Sequence, residues 1–205
     1  MAFNPGTDAA SAIDYTRLSA AEVRSGLEAV ADHVHATFDG LDARQLNWRP
    51  DAQRWSVAQC FDHLVSANRQ MLHAADAALA GTAPRTVWQR LPMVPGLLGR
   101  MLIRSQSPQA ARKYIAPTTI RPSSSDIDAG IVDRFLALQR DAVERLRRLD
   151  EERAARVIMT SPFVSVVSYS VLDGWRLILA HERRHVRQAE AVLRMPGFPA
   201  SQSAV

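Results

Sequence analysis

The chain has 205 residues, 47% of them hydrophobic and 22% charged, with a formal net charge of +4 and one cysteine. This is ordinary globular usage in a chain long enough to bury a core, and it excludes a disulfide framework, a disordered chain and a membrane span. The 25 basic residues are scattered among 21 acidic ones; a pI near 10.0 therefore reads as a solvated surface, not a nucleic-acid patch. The N-terminus has neither a basic start nor an apolar run, and the lone cysteine suits a reducing compartment, so a cytoplasmic location is expected.

In chain order, Ser19-x-x-Glu22 spells a capping box that opens a helix to about Phe38, with Val23, Leu27, Val30, Val34 and Phe38 at helical spacing. Gly40 and a tryptophan-containing segment connect it to a second box, Ser56-x-x-Gln59. That box opens a helix from Val57 to about Leu79, stopped at Gly81. Residues 82–124 hold six of the eleven prolines and no sustained periodicity. They read as a long insertion, a lid or an oligomer contact, in which 97–105 can form a short apolar helix. The run Ser123–Asp126 is expected to open a third long helix ending near Arg148, with Ile127, Ile131, Leu138, Ala142, Leu146 and Leu149 on its core face. Residues 150–169 form a connection with one possible short turn of helix, and 163–170 looks like a strand too isolated to make a sheet. Ser170-x-x-Asp173 then caps a fourth helix, which must end before Pro196. Four amphipathic helices with a long middle connection predict an all-α four-helix bundle, one domain over 1–205 with its core at about 15–198.

The candidate chemistry lies in the histidines. On the fourth helix, His181 and His185 are four residues apart and share a stripe with Gly174, Ile178, Gln188 and Val192, opposite Arg176, Arg183, Arg187 and Arg194. An apolar face is core and an arginine face is solvent, so both imidazoles point inward. On the second helix His63 shares its side with Cys60, Ala67, Met71, Ala74 and Ala78, and so faces or borders the core. His33 and His35 flank the apolar stripe of the first helix, His73 lies on the polar face of the second, and all three are expected at the surface. One buried histidine is ordinarily bonded to a carbonyl or to water. An i, i+4 pair with a third inward imidazole favours a metal, because bundle cores build such sites and three protein ligands leave open positions for catalysis. Gln188, one turn past His185, either orients a ligand of that metal or is a polar residue at the bundle end.

His181-Glu182-x-x-His185 also spells HExxH, the zinc-protease helix motif. No Asp, Glu or His follows Glu190 to supply a downstream third ligand, so the match is read as accidental and Glu182 as a flanking partner for an arginine. Cys60 has no basic residue placed by sequence to activate it and is read as inert. Lys113 is the sole lysine, with nothing around it to lower its pKa.

Trp55-Ser56, His63-Leu64 and His181-x-x-x-His185-x-x-Gln188, in that order and on those helices, resemble the DinB-like (DinB/YfiT) superfamily. The resemblance covers roughly residues 15–198. It implies a bundle with a long crossover, a divalent metal (nickel or zinc, sometimes others) on His63, His181 and His185, and frequent homodimers. Some relatives use low-molecular-weight thiols as co-substrates in S-transfer or isomerisation, and others look like metal-dependent hydrolases. The expectation is therefore a metal-dependent enzyme on small molecules, a thiol-dependent S-transferase first and a hydrolase second. The remaining alternative is a metal-binding bundle without turnover. No membrane and no specific nucleic acid is expected as a partner, since the arginine stripe lacks the base-reading groups that recognition needs.

Overall fold

The computed structural model describes residues 13–83, 94–108, 121–122 and 126–200. Lys113 and Ser123–Ser125 lie outside the described residues. Seven α-helices are present among those described: α1 (Ala20–Phe38), α2 (Ala43–Asn47), α3 (Val57–Ala80), α4 (Val94–Gln106), α5 (Ile131–Arg147), α6 (Glu151–Arg156) and α7 (Val171–Leu193). Two short strands, β1 (Ile158–Thr160) and β2 (Ser168–Ser170), pair antiparallel with Met159 opposite Tyr169. The protein is an all-α bundle.

The helix ends follow from their caps. Ser19 and Glu22 close a reciprocal box at α1, Ser56 and Gln59 another at α3, and Asp42 and Gln45 a third at α2. α3 stops at Gly81, whose φ of 72° is the left-handed conformation that a side chain disfavours. At α7 only half of the expected box forms. Ser170 Oγ accepts from the Asp173 amide at 3.0 Å, but the Asp173 carboxylate pairs instead with Arg176 Nη1 at 2.9 Å.

α5 begins later than the sequence suggests. Ile127 exchanges two hydrogen bonds with the Asn47 side chain, 2.9 Å from its amide and 2.8 Å to its carbonyl, and Asp126 has a left-handed φ of 55°. This stretch is tied to the end of α2 and cannot be helical; the helix starts at Ile131, after Gly130. Its buried face is Ile131, Phe135, Gln139, Ala142 and Leu146, with Val132 and Val143 beside it. The predicted isolated strand also needs correction. Only Ser168–Ser170 is extended, and it has a partner in Ile158–Thr160, so a small hairpin braces the start of α7.

The four long helices form the bundle. α1 and α3 each pack against α5 and α7, and so face each other across the diagonal. Contacts near both ends give the directions. Arg176 Nε donates to Leu18 O and His33 meets Glu190, so α1 and α7 run parallel. Trp55 meets His185 and Met71 meets Tyr169, so α3 and α7 run antiparallel. Phe61 packs on Phe135 and Asp76 pairs with Arg145, so α3 and α5 run parallel. Parallel neighbours need a connection that returns the length of the bundle, about 36 Å for the 24 residues of α3. Residues 81–130 lie between α3 and α5 in the sequence. Within them α4 lies against α7 and β2, burying Pro95, Gly99 and Ile103 and leaving Leu97 and Met101 exposed. Among the described residues, no helix is long and apolar enough to cross a membrane.

Candidate metal centre

α3 and α7 place three imidazoles together. His63 Nε2 and His181 Nε2 are 3.1 Å apart, and one ligand nitrogen from each of His63, His181 and His185 lies within 4.8 Å of the others. Ring centroids are separated by 5.0 Å for His63–His181 and by 4.6 Å for each pair with His185. The antiparallel crossing of α3 and α7 makes this possible, with the i, i+4 pair on one helix facing the single histidine of the other. His63 and His185 are buried and His181 is half-buried.

Trp55, just before the α3 cap, closes one side. Its ring stacks on His185 at 5.6 Å and 18° and lies 5.0 Å from His63. Burial, with the nearby His185, His63 and Arg184 charges, holds His181 well below the ordinary histidine range. Burial, with His63 and Arg184, pushes His185 down to about 3, against a small opposing contribution from the Gln188 side chain. Both rings are therefore neutral at pH 7, the form that ligates metals.

The donor set fits a divalent ion. Two nitrogens bound to one ion at about 2.0–2.1 Å lie no more than about 4.2 Å apart. The 3.1 Å pair already satisfies that, and the 4.8 Å bound on the set asks for only a small side-chain adjustment. His185 Nδ1 is buried with no hydrogen-bond partner among the described residues, whereas the Nδ1 of an ordinary core histidine is satisfied. All three predicted ligands are thus brought together.

A profile of the DinB superfamily matches residues 26–189. The chain belongs to the DinB superfamily. The match runs from the middle of α1 almost to the end of α7 and so contains all three histidines. No curated protein and no solved structure matches the chain.

Other expectations divide. Gln188 is half-buried, one turn past His185 and interacting with it. Cys60 is fully buried and burial pushes its thiol up, so it is neither a thiolate nor part of the histidine cluster. His35 and His73 are exposed as expected. His33 is not. It is half-buried and its Nε2 pairs with the buried carboxylate of Glu190 on α7. The arginine stripe of α7 is not simply solvated either. Arg176 binds Leu18 O and Asp173, and Arg183 reaches Tyr15 Oη at 3.5 Å, because the segment before α1 covers that face.

Glu182 overturns its sequence reading. It is fully buried, and its Oε1 accepts from Asn68 Nδ2 of α3 at 2.6 Å. Burial pushes its carboxyl up to about 8, outweighing contacts with Gln139 and Asn68 and the Arg183 charge. It is mainly protonated at pH 7 and points away from bulk water. The general-base role of the protease motif requires the opposite. Asn68, Gln139 and Arg184 carried no motif that singled them out. The one available signal was polar residues on otherwise apolar helix faces.

Proposed function

We propose that this DinB-superfamily protein is a metal-dependent enzyme that joins a small thiol co-substrate to a small electrophile, with nickel or zinc held by His63, His181 and His185. The observation that carries the reading is the cluster of three imidazoles, with a buried Nδ1 on His185 that has no hydrogen-bond partner among the described residues. A divalent ion there supplies Lewis acidity, which lowers the pKa of a thiol and polarises an electrophile. The protein's own cysteine supports an external nucleophile, because it is buried with its thiol pushed up and is mainly protonated at neutral pH. Trp55 forms an apolar wall against His185 and His63 and shields that side from water. Gln188 is the polar group best placed to orient the co-substrate, since its amide both donates and accepts. The proposed partners are small molecules and a second copy of the chain.

The test is conjugation of a chloronitroaromatic or an epoxide with several small thiols, with and without metal, run beside ester hydrolysis. Thiol- and metal-dependent conjugation, lost in His185→Ala together with the metal, is expected. Metal-dependent hydrolysis indifferent to every thiol would give the site to a hydrolase instead. Full metal content in a variant carrying alanine at 63, 181 and 185 would end the metal reading.

A further inference from the structure

α3 and α7 are joined at two levels by directional contacts. One is the imidazole contact, His63 to His181, at 3.1 Å. The other is Asn68 Nδ2 to Glu182 Oε1, at 2.6 Å. Asn68 follows His63 by five residues, about 7.5 Å along α3, and Glu182 directly follows His181. Gln139 of α5 approaches the same carboxyl from a third helix. Asn68, Gln139 and Glu182 are 4%, 2% and 0% exposed. Among the described residues, Glu182 Oε2 and both polar atoms of the Gln139 amide make no hydrogen bond that meets normal geometry.

Three polar side chains in an apolar core are not explained by stability. Burying such groups costs free energy, and apolar residues of the same size do as well or better. They do supply direction. Apolar burial scales with area and hardly distinguishes small slides or rotations of one helix on another. A buried hydrogen bond does distinguish them, because losing it strands a donor or acceptor without water. Single buried polar residues that fix helix register are the best attested case of this effect.

We infer that the Asn68–Glu182–Gln139 contact is a register lock that holds His181 and His185 of α7 opposite His63 of α3. Glu182 is then a positioning residue, which touches neither substrate nor metal. Without the lock, α7 can turn or slide on its apolar neighbours, and the three imidazoles separate even though the bundle stays folded.

The test compares wild type, Glu182→Gln, Glu182→Met and the triple variant Asn68→Leu, Gln139→Met, Glu182→Met. Glutamine keeps the shape, one acceptor and one donor; methionine keeps only the shape. Two readouts are used on the full chain, cobalt(II) affinity and the nuclear Overhauser contact between the His63 and His181 rings in metal-free protein. Only the first rests on the metal reading above. Glu182→Gln is expected to match wild type in both. The triple variant is expected to melt no lower than wild type, yet to bind cobalt 10–100-fold more weakly, the usual loss when a supporting partner of a ligand is removed. Its ring contact is expected to disappear.

A purely structural role would move the melting temperature and leave affinity and ring contact alone, and that result overturns the inference. If the triple variant does not fold, Glu182→Gln against Glu182→Met decides, and equal ring contact in the two overturns it. Wild type that binds no cobalt ends the metal reading. The inference then stands if the contact is lost with methionine and fails if it persists.

Discussion

The carboxyl of Glu182 should set the alkaline limb of the protein's stability. Burial raises it from 4.5 to about 8 in the folded state, so between those values the native chain holds a proton that the unfolded chain has released. Stability contributed by the neutral carboxyl is complete below pH 4.5 and is lost as pH rises through 8. Each pH unit in that window costs about a factor of ten in the folding equilibrium. From pH 5 to pH 8 the loss approaches three such factors, roughly 4 kcal/mol as an upper limit. The histidines act in the other direction. His185 falls from 6.5 to about 3 and His181 is also lowered, so they destabilise the fold as pH drops below 6.5. Metal-free wild type should therefore be most stable near pH 6.5. Urea unfolding of chelated wild type and Glu182→Gln, at half-unit steps from pH 5 to 8, isolates the carboxyl because the histidine contributions are common to both. The difference should shift steadily toward Glu182→Gln with rising pH. A flat difference would mean that the carboxyl ionises near its ordinary value, and that it is neither dry nor held as described.

The HExxH spelling should be without peptidase activity. Metal-loaded protein is expected to leave an unstructured protein such as casein intact, and steady cleavage abolished by Glu182→Gln would contradict the buried, protonated carboxyl. Gly99→Ala should loosen α4 from α7, since the added Cβ would lie 2.8 Å from Asp173 Oδ2 and 3.0 Å from Tyr169 Cβ. A loss of about 1–3 kcal/mol in chemical denaturation is expected, and an unchanged midpoint would show that α4 packs less closely than described.

What could be read in advance, and what could not, has a physical basis. α1 and α3 were legible to within a residue because each begins with a reciprocal serine box, and α3 ends on a glycine that takes a left-handed φ. These are local effects, fixed within one turn of chain. The three histidines were legible because α3 and α7 keep helical spacing over their whole lengths. The start of α5 was not, since it depends on Asn47, 80 positions away from Ile127. The β1–β2 pair needed a partner from a stretch without a strand pattern. The error on Glu182 and on the arginine stripe has one cause. A helical wheel assumes one core face and one solvent face, but α7 is packed by α1, α3, α4, α6 and the hairpin. Positions such as Arg176, Arg183 and Glu182, assigned to a flank or to solvent, are covered from other directions.

That enclosure also explains how five familiar letters can serve a different purpose. In the protease motif the glutamate works because it is ionised and shares the metal's water-filled side of the helix. Here the side that Glu182 faces is filled by Asn68 of α3 and Gln139 of α5. Burial penalises the charged form of each group. The same enclosure therefore leaves His181 and His185 able to present lone pairs and Glu182 unable to act as a base at neutral pH. Neutral imidazoles and a neutral carboxylic acid can then share adjacent positions without forming an ion pair that would protonate the imidazole. Were Glu182 ionised beside His181, its charge would favour the imidazolium and compete with any metal for that nitrogen. Keeping the acid neutral and tied to Asn68 removes that competition.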